Sequence, residues 1–327
     1  MMRLVSVVRG IAALGLAVSA CHALAQEWPT KPVRFINPFG AGGLIDTIVA
    51  ATRPGIEARL KQPMVVENRT GGGGQIGMQA IALSAPDGYT FGIVPSNTMV
   101  ISQFLFKSSL DPLRDFVPVT VLVDVPLLLA VTAKHPARTV GEFLADLKAN
   151  PGKLNFGSPG RGTPPHLAGE MLIRSLGLSA VHIPYKGGHD SALALATNEV
   201  QFMVIAQASL AGQITAGMVR PLAVASKERL QSLPDLPTFE QAGHADLQKI
   251  IPRNWWGVIA PKGTPPAIVN RVADEFRQSI AEPDAQRRIK AVGLETVGST
   301  PAQFAAQLPD EARRWGELIR SMDLAAQ

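Results

Sequence analysis

The chain has 327 residues, 31 Lys and Arg against 26 Asp and Glu, 17% charged and 6% aromatic side chains, and a single cysteine. One thiol cannot form a disulfide framework, and a mild positive charge spread without any Lys/Arg block argues against a nucleic-acid surface. The length suffices for two domains with their own cores.

Arg3 and Arg9 precede an apolar stretch from Ile11 to Ala20 that closes on Ala23-Leu24-Ala25. This order predicts a secretory signal over residues 1–25, cleaved after Ala25, because its apolar part is far shorter than the roughly 20 residues of a membrane-spanning helix. A second reading takes Val18-Ser19-Ala20-Cys21 as a lipidation motif that tethers the mature chain at Cys21. Cleavage after Ala25 would leave a mature chain without cysteine, which excludes thiol catalysis. The most apolar later passage, Val117 to Ala133, carries Pro118, Asp124 and Pro126 and reads as buried strands, not a membrane span.

Along the chain, strand-like runs alternate with helical patterns, the mark of an α/β protein with largely parallel sheets. The predicted strands are Val33 to Ile36, Met64 to Glu67, Thr90 to Val94, Leu154 to Gly157, Val181 to Ile183, Val200 to Ile205 and Pro221 to Ala225. Ile45, Ile48, Val49, Thr52, Ile56 and Leu60 share one helical face, which Pro54 is expected to kink or split. Ile268, Val269, Val272, Phe276 and Ile280 form a second stripe. Val119 to Val131 and Asn254 to Pro261 read as passages between domains. They divide the mature chain into a first lobe, residues 26–125 with 253–327, and a second, residues 126–252, with a cleft where the carboxyl ends of both sheets face.

Glycine-rich turns open helices at Asn37 to Thr47 and at Leu154 to Leu172. Such turns bring backbone amides close to a guest, and helix N-termini favour anions through unpaired N–H groups and the helix dipole. Phe39, Gly40, Ala41, Gly42 and Gly43 in the first lobe, and Ser158, Gly162 and Thr163 in the second, are therefore candidate contacts for a carboxylate. Three charge-assisted hydrogen bonds and one helix end gross roughly 6–11 kcal/mol, against about 8 for micromolar binding. Asp46 is read either as a cap of the first helix or as a contact to ligand or its water. Ser96 and Asn97, ending the third strand, are read as a turn or as cleft lining. His166 stands between ligand donor and packing residue, Tyr185 between hydroxyl donor and neighbour, and Arg161 and Lys186 are the cations nearest the cleft.

The segments WPTKPVRFINPFGAGGLIDT, VVENRTGGGGQIG, APDGYTFGIVPSN, LNFGSPGRGTPPHLAGEM, VHIPYKGG, LAVASKERLQSLPDLPTFEQAG and WWGVIAPKGTP, in that order, resemble the Bug family, the extracytoplasmic solute receptors of tripartite tricarboxylate transporters. The resemblance runs from about residue 28 to the C-terminus. It implies a type II periplasmic-binding-protein fold, two α/β lobes joined by two crossing strands around a central ligand cleft. It further implies capture of a small carboxylate by lobe closure in the periplasm, without catalysis or cofactor, by a monomer that serves the membrane permease subunits. Ala51, Pro54 and Gln201 depart from the family's pattern.

Two other classes are weighed. A ligand-sensing receptor for a signalling partner needs the same hinge. A secreted α/β enzyme is suggested by GxGxxG at Gly72, Gly74 and Gly77, but the acidic ribose partner expected about 20 residues on falls near Asn97, and four consecutive glycines satisfy almost any glycine pattern. The histidines outside the leader, His135, His166, His182, His189 and His244, lack metal-ligand spacing.

Overall fold

The computed structural model describes residues 28–41, 44–106, 109–251 and 253–321. The expected leader with Cys21, and also Gly42 and Gly43, lie outside them.

The first lobe begins with β1 (Val33–Asn37), α1 (Leu44–Leu60), β2 (Met64–Asn68), α2 (Gln75–Ala82) and β3 (Thr90–Pro95), with β1 between β2 and β3 in parallel register. The stripe read from spacing is the buried face of α1: Ile45, Ile48, Val49, Thr52, Ile56 and Leu60. Of the two effects expected of Pro54, a kink or a split, the split does not occur: the helix runs on past it. It lies on the exposed side, as does Ala50, whose carbonyl the missing N–H leaves without a helical partner, so that loss falls toward water.

β4 (Phe116–Asp124) ends this part of the lobe, and β5 (Leu127–Thr132) opens the next, so the single apolar passage seen in the sequence is two strands in different sheets, parted at Val125-Pro126. The second lobe continues through α3 (Val140–Ala149), β6 (Asn155–Ser158), α4 (Pro164–Ser175), β7 (Val181–Pro184), α5 (Gly188–Thr197), β8 (Phe202–Ala206), α6 (Gln207–Thr215) and β9 (Val219–Val224). The chain then returns with β10 (Trp255–Pro261), α7 (Pro266–Ala281), α8 (Pro283–Ala291), β11 (Glu295–Thr296) and α9 (Pro301–Ser321).

The sheets are ordered β11-β4-β10-β3-β1-β2 and β7-β6-β8-β5-β9. Neither is wholly parallel. β10 is antiparallel to β3 and β4, and β5 is antiparallel to β8 and β9. β5 and β10, each just arrived from the other lobe, run against the strands they join, and the short β11 is antiparallel to β4 as well. Each sheet is buried on both faces, by clusters around Phe35, Phe91 and Phe276 and around Trp255, Phe304 and Trp315 in the first lobe, and around Phe143, Phe156 and Phe202 and around Leu195 and Met203 in the second. Strands covered on both sides lose polar alternation, which is why β3 and β5 read as continuous apolar runs.

The two crossings are tied together. Arg253 meets both oxygens of Asp124, Nε to Oδ2 at 2.9 Å and NH2 to Oδ1 at 2.8 Å, and the Val125 amide donates to the Asn254 carbonyl at 2.7 Å.

A second charged joint locks α1 to α7. Arg59 donates from Nε to the buried Glu275 at 2.6 Å and from NH1 to Glu282 at 2.9 Å, and it also reaches the Ser279 hydroxyl. Replacing Arg59 with Ala leaves the Glu275 carboxylate with Arg271 as its remaining ion partner. Such a loss costs about 2 kcal/mol, to be seen as a lower urea midpoint; an unchanged midpoint would show that the joint contributes nothing.

Candidate functional site

In the first lobe the turn after β1 is shaped by Asn37, which is fully buried. Its amide nitrogen donates to Asn68 Oδ1 at 3.0 Å, and its Oδ1 accepts the Phe39 N–H at 3.0 Å. An asparagine capping the amide two residues on makes an Asx turn. The Phe39 N–H is thereby engaged inside the protein, and its half-buried ring meets Trp256 edge-on with centroids 6.2 Å apart at 68°. Gly40 and Ala41 are exposed, and a Cβ built on Gly40 finds nothing within 4 Å, so that stretch of backbone borders open space. Asp46 is exposed in the first turn of α1.

The glycine run behind this turn serves packing. Gly71, Gly72, Gly73 and Gly74 all have positive φ, and a Cβ on Gly77 would lie 2.6 Å from Pro38 Cα. The GxGxxG match therefore seats α2 against the Asn37 to Ala41 turn.

Ser96 and Asn97 do not form a turn. Helical structure starts there, as a π-helical segment Asn97–Ile101 that continues to Leu105. Ser96 is fully buried and its hydroxyl donates to Asn254 Oδ1 at 3.2 Å, which directs it to the returning crossing. Asn97 is half-buried.

In the second lobe the expected nest of bare amides is largely closed. Gly160 N–H donates to Ser158 Oγ at 3.2 Å, Gly162 N–H to His166 Nδ1 at 3.0 Å and Thr163 N–H to the Gly160 carbonyl at 3.4 Å. Pro164 and Pro165 occupy the first positions of α4 and supply no N–H at all. Ser158 is buried and shares a 2.7 Å bond with His182 Nε2, and the Thr163 hydroxyl donates back to the Gly160 carbonyl at 2.7 Å. His166 is 3% exposed, and its Nδ1 holds the Gly162 N–H. The Tyr185 hydroxyl donates to Glu199 at 3.1 Å, so it too is directed within its own lobe.

The open backbone on this side lies one loop further on, at Gly187, where a built Cβ meets nothing within 4 Å and from which α5 begins. The sequence carried this signal in Lys186-Gly187-Gly188, again glycine before a helix. Arg161 and Lys186 are exposed on the two neighbouring loops.

The lobes touch on both sides of the cleft. A Cβ on Gly162 would lie 2.5 Å from Leu105 Cδ1, so only glycine lets that leucine of the first lobe seat on the second-lobe loop. Leu167 and Met171 of α4 pack into the first-lobe cluster with Phe304 and Trp315. On the other flank a Cβ on Gly293 would lie 2.3 Å from Gln207 Oε1. Among the described residues no group of three or more His, Cys, Asp or Glu is placed to hold a metal ion, and no helix is long and apolar enough to cross a membrane.

This architecture is that of known two-lobed receptors. The model of the tripartite tricarboxylate transporter family receptor matches residues 48–324. BugT of Bordetella pertussis is 32% identical over 321 residues, covering 95% of this chain and 97% of its own length. The solved periplasmic binding protein BugD is 31% identical with a TM-score of 0.74, over 92% of this chain and 100% of that one. An R. palustris protein solved with adipate is 28% identical with a TM-score of 0.79, again over 92% and 100%. The chain belongs to the tripartite tricarboxylate transporter receptor family, of the Bug type.

Two predictions follow from this geometry. Leu105→Ala removes roughly 1 kcal/mol of apolar contact present only when the lobes meet, lowering the closed fraction several-fold; small-angle scattering should show a larger radius of gyration, and an unchanged radius would contradict the role. Burial, with His166 and Arg161 adding to it, pushes the His182 imidazole from its usual 6.5 down to about 3. Between those values the unfolded chain binds the extra proton, so stability is lost as pH falls through that window. Urea midpoints should drop from pH 7 to pH 4, less steeply in His182→Gln; parallel slopes in the two proteins would refute the assignment.

Proposed function

We propose that this protein is a periplasmic solute-binding receptor that captures a small organic carboxylate by lobe closure and delivers it to the membrane permease subunits of a tripartite tricarboxylate-type transporter. It acts as a monomer and carries out no reaction. The observation that carries this reading is the open backbone at Gly40 and Ala41, on the turn from the carboxyl end of β1 to α1, in a chain whose lobes already touch where Leu105 seats on Gly162.

The magnitudes explain why closure matters. Two amide hydrogen bonds to a carboxylate give roughly 3–6 kcal/mol and the helix end at most about 2 more. Micromolar affinity needs about 8, before association costs. The first lobe alone falls short. The backbone at Gly187 and the cations Arg161 and Lys186 supply the remainder once the lobes meet, and the ring of Phe39 with Trp256 gives the ligand's carbon body an apolar wall. The adipate held by the R. palustris relative has a second carboxylate that suits such a two-sided grip.

An enzymatic reading would draw on the 2.7 Å contact between Ser158 and His182. Ser158 is fully buried and its hydroxyl also faces both the amide and the carbonyl of Gly160, so a substrate has no path to it.

Calorimetry of the mature chain against a panel of mono- and dicarboxylates, adipate first, tests the proposal. At least one acid should bind with micromolar or tighter affinity, and silence across the panel would overturn it. Gly40→Val places a branched side chain in open space, so the melting temperature should hold while affinity for that acid falls at least about tenfold; undiminished affinity would remove this turn from the site.

A further inference from the structure

Behind the Gly160 to Thr163 loop lies a structure that carboxylate capture alone does not require. The rings of His166 and His182 stack with centroids 4.0 Å apart at 31°, and Phe156 backs His182 at 4.8 Å. Each ring holds a different point of the loop. His166 Nδ1 accepts the Gly162 N–H at 3.0 Å, and His182 Nε2 bonds Ser158 Oγ, which in turn accepts the Gly160 N–H at 3.2 Å. Gly162, held at φ 75°, is the residue on which Leu105 seats.

We infer that His166 and His182 are positioning residues that set this loop in the shape that receives Leu105 when the lobes close. The inference rests on the receptor reading above and adds to it a device for closure, in which neither ring touches the ligand. The Gly162 bond requires an unprotonated Nδ1, so His166 is the neutral tautomer with its proton on Nε2, the atom 4.0 Å from Glu170 Oε1. The charged groups around the pair are Glu170, itself ion-paired with Arg174, and Arg161.

Asparagine at position 166 keeps an acceptor near the place of Nδ1, whereas leucine keeps bulk and removes it. The test compares His166→Asn and His166→Leu with the unaltered protein by three readouts. Nitrogen NMR of the imidazoles should show the Nε2–H tautomer at His166. The Gly162 amide proton resonance should stay near its original position in His166→Asn and move upfield in His166→Leu. Scattering should give the original radius of gyration for His166→Asn and a larger one for His166→Leu, with adipate binding about tenfold weaker in the latter only. Thermal melts separate this from unfolding, since the leucine variant should remain folded at the temperature of measurement. An Nδ1–H tautomer, or a Gly162 resonance and radius that ignore the leucine substitution, would overturn the inference. If the unaltered protein does not bind adipate, that bears on the ligand proposed above, while tautomer, amide and radius still decide the role of the histidines.

Discussion

The arrangement depends on the pairing of Asp124 with Arg253 across the two chain crossings. One residue ends the strand that leaves the first lobe and the other precedes the strand that returns, so a single two-pronged ion pair fixes where both connections pass. It is held in crowded, acidic surroundings. Burial pushes the Asp124 carboxyl upward despite Arg253, Glu295 is raised by burial and by Asp124, and burial drives Glu311, which accepts the Trp255 indole N–H at 2.8 Å, up to about 7. Arg253 is the cation common to all three carboxylates, with Lys227 acting on Asp124 and Glu295 and Arg314 on Glu311, so its loss would leave the buried Asp124 without its ion partner. Next to it, Asn254 accepts from Ser96, so the hinge is hydrogen-bonded to the end of β3.

From this hinge the rest is a division of labour. The first lobe offers backbone at Gly40 and Ala41, because Asn37 has turned the chain and the glycine run lets α2 approach Pro38. The second lobe spends its first glycine loop on its own hydrogen bonds and on receiving Leu105, and leaves open backbone at Gly187. In the proposed receptor, closure and capture are thus carried by different loops of the same lobe. A ligand that bridges the lobes shifts the balance only by what it gains in the closed state, so apolar contacts at Leu105 and Leu167 set how much it must supply.

Much of the fold was legible because α/β alternation writes itself in periodicity: the face of α1 and β1 to β3 followed from spacing and apolar runs. The antiparallel entry of β5 and β10 was not, since strand direction depends on long-range pairing that leaves no local mark. Pro54 misled because its effect depends on which side of the helix faces water. At the site, glycine before a helix marks the turn at Gly40, which borders open space, and equally the loop at Gly162, which does not, because the signal reports that a backbone is approachable without saying what approaches it. There the visitor is Leu105, more than fifty residues away in the chain, and the amide belongs to a histidine four residues on. His182 escaped notice because nothing in VHIPYKGG shows that its ring will stack on His166.

In the proposed receptor one small carboxylate is gripped from both lobes at once. Hydrogen exchange of the mature protein, with and without a saturating carboxylate, measures this directly. Amides at residues 40–41 and at residues 187–189 should slow together on addition of the acid. Slowing confined to one lobe, or none with any acid of the panel, would contradict it.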